Sequence, residues 1–222
     1  MTKSTQMALP LSYPSPYYRE DFLMADCYEE VFRWLNLYPN WYHHMFLILG
    51  PAGCGKTHIA KMFTQHIYRA KDLTFDDIIY MPDLCAVEDI DEAGVNETLL
   101  FHLYNYTAEK NRKVLITARA MPLWKLPDLK SRMNIVPNAK ITVPNDKMIM
   151  MLILKELTER QLDIDSDVIE YILKHMERSF PAIQDFINHI CILSLAQKRK
   201  ITIPLAKEAL SLIQQERLIS TI

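Results

Sequence analysis

The sequence predicts an α/β architecture, a parallel sheet flanked by helices, followed by a small all-helical subdomain. Three observations lead there. Short apolar runs at Met45–Leu49, Leu84–Val87 and Val114–Thr117 have the length and bounding residues of buried parallel strands. Helix-period segments separate them, as crossovers between parallel strands require. From Asn145 onward strand signals stop and only helical spacing remains.

The first of these runs leads into FLILGPAGCGKT, Phe46 to Thr57, which completes the spacing G-x-x-x-x-G-K-[ST]. Gly50, Gly53 and Gly55 tolerate backbone angles that other residues resist, so successive amide N–H groups can converge on a phosphate at the start of the next helix. The candidate nucleotide contacts are Gly50, Pro51, Ala52, Gly53, Cys54, Gly55, Lys56, Thr57 and His58. Lys56 would reach the β/γ-phosphates and the Thr57 hydroxyl would ligate Mg²⁺. Of the chain's 4 glycines, only Gly94 lies outside this stretch, which disfavours a chance match at an ordinary strand–helix turn.

Composition narrows the class. The chain has 222 residues, half of them hydrophobic, enough for one large domain or two small ones. Its net charge is −2, whereas a dedicated nucleic-acid binder carries a basic excess. The one basic cluster, Lys198-Arg199-Lys200, reads as a helix C-terminus complementing the macrodipole. No apolar run approaches the ~18 residues of a membrane span, and the start lacks a secretion-signal layout. Cys27, Cys54, Cys85 and Cys191 are scattered without metal spacing, which suits reduced, packed thiols in a cytoplasm.

In chain order, residues 1–16 carry Pro10, Pro14 and Pro16 and no helical period, as a flexible arm does. Within it Gln6, Met7, Leu9 and Leu11 have the alternative reading of an extended peptide that docks in an apolar pocket. Asp26 and Glu29 have capping-box spacing for a helix from Cys27 to about Leu37, ended by Pro39. The helix after the phosphate loop is expected to reach about Ala70. Asp72 to Asp77 reads as a connection and Ile78-Ile79-Tyr80 as a short strand.

Leu84–Val87 ends in Glu88-Asp89-Ile90-Asp91-Glu92. A buried strand ending in carboxylates, one crossover after a phosphate loop, suits Mg²⁺ binding and water orientation by Glu88 and Asp89; a helix-capping cluster is the other use. A helix from about Asn96 to Lys110 follows, with Leu99, Leu100, Leu103 and Tyr104 on one face. Thr117 ends the next strand, where a hydroxyl either feels the γ-phosphate or merely closes the strand. A short helix, Leu126 to Met133, carries Arg132, and another strand spans Ala139 to Val143. Three or four helices are then expected, at about Asp146–Gln161, Ser166–Glu177, Ser179–Lys198 and one opened by Pro204, with Asp165 and Thr202 as caps. Arg178, between two of them, is either a surface charge or a group able to reach a nucleotide. The domains read as 1–16 arm, 17–144 α/β and 145–222 helical.

Taken together these residues resemble the AAA+ family, in the branch of DnaA and the Hda-type regulators. GPAGCGKTH, VEDIDE, LITARAMP, LPDLKSRM and HMERSF resemble DnaA, whereas QMALPL and QKRKITIPLAKEAL resemble the Hda type. The resemblance implies an AAA+ core with a helical lid and a site for ADP or ATP with Mg²⁺. It implies that Thr117 is sensor 1, Arg178 sensor 2 and Arg132 an arginine finger acting in trans. Asp21 and Phe22 fall on the segment flanking the adenine, and Gln6, Met7, Leu9 and Leu11 on a peptide that binds the sliding clamp of DNA polymerase III. The implied partner is DnaA, with DNA met mainly through the clamp, no membrane, and possible self-association.

The family's paired acid usually begins with Asp; Glu88 then Asp89 implies weak self-hydrolysis. Met7 stands where Leu is commoner, a mild change for an apolar pocket. The expected role is therefore a regulator that binds nucleotide, stimulates hydrolysis of ATP on DnaA and suppresses re-initiation. The alternative is a free-standing ATPase of the helicase-loader type. A small-molecule P-loop kinase is disfavoured, because the helical segment follows the last strand instead of interrupting the core.

Overall fold

The computed structural model describes residues 22–220. Asp21 and the peptide residues Gln6, Met7, Leu9 and Leu11 lie outside them. The described chain divides into two compact units, the first ending at Thr142 and the second beginning at Val143.

The α/β unit opens with a 3-10 turn, Asp26–Tyr28, running into α1, Glu29–Leu35. The expected Asp26–Glu29 capping box is absent; the turn begins at extended Ala25 with no side-chain cap. β1, Met45–Leu49, is buried along nearly its whole length and delivers the chain to the glycine loop and α2, Lys56–Phe63. That helix stops well short of Ala70. Thr64 turns extended; its hydroxyl donates to the Leu84 carbonyl and accepts from the His66 amide, and β2, Ile67–Arg69, follows. A strand lies where continued helix was expected.

A 3-10 turn, Ala70–Asp72, leads to α3, Phe75–Tyr80, so Ile78-Ile79-Tyr80 is helix instead of strand. Thr74 and Asp77 form a full capping box, each side chain bonding the other's backbone N–H, and that start signal overrides the β propensity of the apolar residues. β3, Leu84–Glu88, is followed by α4, Glu97–Glu109, capped by Asn96. β4, Lys113–Ala118, α5, Pro127–Met133, and β5, Asn138–Lys140, complete the unit; β5 is shorter than expected. All pairings are parallel, in the order β2-β3-β4-β1-β5. The C-terminal ends of β3, β4 and β1 therefore lie side by side, with the glycine loop, Glu88 and Thr117 at those ends, where open α/β sheets bind ligands.

The helical unit contains α6, Asp146–Glu159, α7, Ser166–His175, α8, Phe180–Gln197, and α9, Ile203–Ser220. Asn145 and Ser179 cap α6 and α8 through their side chains; Asp165 occupies the cap position of α7 without making that bond. Lys198 ends α8 in a left-handed conformation, so the basic cluster lies at and beyond the helix end. Ile149, Ile153, Ile172, Phe186, Ile190 and Ala209 belong to the core these helices share. No helix among the described residues is long and apolar enough to cross a membrane.

Phe186 has no exposed surface. Phe186→Ala should destabilise the helical unit by about 3–5 kcal/mol through lost burial and the cavity left behind. Leu123, 97% exposed, should tolerate alanine within about 0.5 kcal/mol. Urea midpoints of the two variants check the contrast.

Candidate nucleotide site

Gly50 is where the strand becomes a loop. Its amide still donates to the Ala118 carbonyl of β4, and across the other edge Ile141 N–H bonds Leu49. A Cβ on Gly50 would lie 2.7 Å from Cys54 Sγ and 3.0 Å from Ile141 Cβ, so the loop folds back through space that only glycine leaves open. Gly53 and Gly55 adopt φ of 72° and 87°, the left-handed region that glycine enters without penalty.

The Lys56 ammonium is buried against the loop itself. It donates to the carbonyls of Gly50 at 2.7 Å and Pro51 at 3.0 Å, with Cys54 Sγ at 4.0 Å. Those bonds satisfy an otherwise costly buried charge and hold the ammonium inside the loop, next to where a phosphate would add its charge. Burial pushes the Cys54 thiol above its usual range, which keeps it protonated and unreactive.

At the end of β3, Glu88 is buried and burial pushes its carboxyl above the usual carboxylate range, with a counteracting hydrogen bond from Thr57. Its Oε1 is buried without a hydrogen-bond partner. A hydroxyl and a carboxylate brought together, one oxygen left unsatisfied, fit a hard oxygen-seeking cation. Thr57 and Glu88 are thus the residues that would hold Mg²⁺; bound there, the ion would neutralise phosphate charge.

Asp89 occupies a left-handed conformation, φ 57°. Thr117 supports that bend: its hydroxyl accepts from Asp89 N–H at 3.2 Å and its carbonyl from Ile90 N–H at 3.0 Å. Thr117, 1% exposed, thereby ties the tip of β4 to the turn carrying the second acid.

Phe22 packs at the same end. Its ring meets Tyr28 at 4.7 Å, Phe32 at 5.4 Å and His58 at 5.2 Å, and its edge lies 3.5 Å from where a Gly55 Cβ would be. Sequence reasoning missed Tyr28, whose hydroxyl donates to the Cys54 carbonyl at 3.2 Å. Nothing in its local spacing announces that contact.

Arg132 lies away from this cluster, against α4. Its guanidinium sits 4.5 Å from the Phe101 ring centroid and donates to Asn105 Oδ1 at 3.1 Å and the Asp128 carbonyl at 3.1 Å. Glu97 accepts from the backbone N–H groups of Lys125 and Leu126, which pins the start of α5 to α4. Glu97, Phe101 and Asn105 are spaced by four on one helix face, a signal present in the sequence but unused. In the helical unit Arg178 forms a two-point pair with Asp146, at 2.8 and 3.1 Å, and this guanidinium holds the Asp146 carboxyl below its usual range.

A folded-state Glu88 pKa above the unfolded value means that its contribution to stability is greatest at low pH and lost as pH rises through the raised value. Glu88→Gln should therefore leave the nucleotide-free protein at least as stable as the parent near neutral pH and flatten this part of the pH dependence. The same change should weaken Mg²⁺-dependent nucleotide binding by about 10- to 100-fold. Thermal unfolding without nucleotide, and titrations with and without Mg²⁺, measure the two effects.

Comparison with known proteins follows the same division. Residues 145–210 match the family described as Hda, lid domain. The chromosomal replication initiator protein DnaA of Buchnera aphidicola subsp. Cinara cedri is 22% identical over 97% of this chain, which spans 57% of that relative's length. Domain III of the Thermotoga maritima replication initiation protein DnaA shares the fold at a TM-score of 0.71 and 16% identity, covering 88% of this chain and 95% of that one. AMPPCP-bound DnaA from Aquifex aeolicus shares it at a TM-score of 0.64 and 17% identity, over 82% and 68% of the two chains. The chain thus joins a segment that matches the Hda lid domain to a five-stranded parallel core that shares its AAA+ fold with DnaA.

Proposed function

We propose that this protein regulates replication initiation by holding an adenine nucleotide, ADP in the resting state, and stimulating hydrolysis of ATP bound to DnaA. The observation that carries the reading is the Hda lid match at residues 145–210, joined to a phosphate loop built for a di- or triphosphate. A related DnaA structure holds AMPPCP, which supports an adenine nucleotide in this fold. In this reading Lys56, Thr57 and Glu88 keep the resident nucleotide and its Mg²⁺, while Asp89 and Thr117 support only slow turnover. Arg178 acts as sensor 2, exchanging Asp146 for nucleotide phosphate.

Catalysis is delivered to the partner. Arg132, held on α4 by Phe101 and Asn105, meets the partner's ATP already oriented. An arginine supplied in trans stabilises charge on the transferring phosphoryl group and is worth about 10³ to 10⁵ in rate. Gln6, Met7, Leu9 and Leu11 dock on the polymerase sliding clamp, so DNA is met mainly through the clamp, in the cytoplasm. Self-association that covers Arg132 would hold the protein inactive.

The buried Glu88 beside Thr57, with Thr117 bonding Asp89, favours the second reading, a free-standing ATPase that loads or remodels replication proteins. That reading requires steady-state turnover abolished by Asp89→Asn and no affinity for the clamp.

The regulator reading is checked by measuring DnaA ATP hydrolysis on clamp-loaded DNA with the intact protein, with Arg132→Ala and with a chain lacking residues 1–11. Both variants should lose most of the stimulation, Arg132→Ala by about 10³-fold or down to background. Undiminished stimulation by both would remove the finger-and-clamp mechanism.

A further inference from the structure

The Cys54 carbonyl is bonded from outside the phosphate loop by a buried side chain. Tyr28, 3% exposed, donates its hydroxyl to that oxygen at 3.2 Å. The ring is fixed in turn by the edge of Phe22, 4.7 Å away between centroids. A trans peptide is planar, so the C=O of Cys54 and the N–H of Gly55 point in opposite directions. Holding the oxygen toward Tyr28 turns the Gly55 N–H the other way, the direction in which the amides of such a loop meet phosphate oxygens.

The position needs holding. Gly53 sits at φ 72° and Gly55 at φ 87°, and with a glycine on each side of Cys54 the loop has little intrinsic resistance to rotation of that peptide plane. The Lys56 ammonium bonds the carbonyls of Gly50 and Pro51, at the other end of the loop, and meets Cys54 only through Sγ, not through the peptide. The Tyr28 bond is the corresponding restraint at the helix end.

We propose that Tyr28 is a positioning residue for phosphate recognition: its hydroxyl locks the Cys54–Gly55 peptide with the Gly55 N–H aimed at the nucleotide's β-phosphate. This rests on the reading of the loop as a nucleotide site and adds to it. The Phe22–Tyr28 contact ties the 22–28 segment to the geometry of the phosphate loop. An amide already aimed spares the ligand the cost of ordering it.

The test is titration of ADP and of adenosine, separately, into the full chain and into Tyr28→Phe, which keeps the ring packing. Loss of one hydrogen bond at a preorganised loop should weaken ADP binding about 3- to 10-fold and leave adenosine affinity unchanged within about twofold. Equal ADP affinity in the two proteins overturns the proposal, as does an equal loss for adenosine, which marks a purely structural role. Failure of the parent chain to bind ADP overturns the nucleotide reading itself, and this proposal with it. A second measurement needs no variant: on ADP addition the Gly55 amide proton should shift strongly in the NMR spectrum of the parent protein, and an unmoved Gly55 signal contradicts the lock.

Discussion

β1 is held on both edges up to its last residue, by β4 on one side and β5 on the other, and then turns at Gly50 through a space with no room for a side chain. The approach of Cys54 to Gly50 wraps the loop tightly enough for Lys56 to reach back to the carbonyls of Gly50 and Pro51. Register does the rest. Ile48 faces Thr117 across β1 and β4, and Val87 faces Ile116 across β4 and β3, so the loop, Thr117 and Glu88 arrive at one edge of the sheet together. Displacing β1 by one residue would carry the loop away from its neighbours and exchange the side chains packed on its two buried faces.

The site stores unfavourable terms that the α/β unit has to offset. Glu88 is buried with an unsatisfied oxygen, Lys56 is buried as a cation, and Asp89 occupies the left-handed region. A strained backbone residue of this kind costs on the order of 1–3 kcal/mol, and unsatisfied buried oxygens add comparable amounts. A structure optimised for stability alone would avoid all three. Their concentration at the ends of β1, β3 and β4 marks the place where a polyanion and a cation would supply the missing partners. Arg132 shows the opposite arrangement, a charge whose stacking and hydrogen bonds are met within the α/β unit itself.

What could be read from sequence alone follows the range of the interactions. The phosphate loop, β1, β3, α4 and α5 were legible because their signals are local: glycine spacing, short apolar runs, an Asn cap and a proline at a helix start. α2 was read too long because HIAKMFTQHIY keeps a helical period past Phe63. The stop comes from the bond between Thr64 and Leu84, twenty residues away. β2 was missed because it is three residues long, half exposed and at the sheet edge, with no alternating pattern to display. α3 was misread for a different reason: a local signal was present, the Thr74–Asp77 box, and the apolar residues after it were weighted more heavily. At the site, Lys56, Thr57 and Glu88 were legible from the motif and the strand end. Tyr28 was not, because its bond to Cys54 spans 26 residues and depends on the fold being complete.

The chain's glycine loop and fold are those of the AAA+ class, and the proposed regulator reading puts the productive hydrolysis on a partner. The most direct test is to identify the nucleotide that co-purifies with the chain and to measure its steady-state hydrolysis. Stoichiometric ADP with slow turnover is the predicted result. A protein that purifies without nucleotide and turns ATP over rapidly would contradict it.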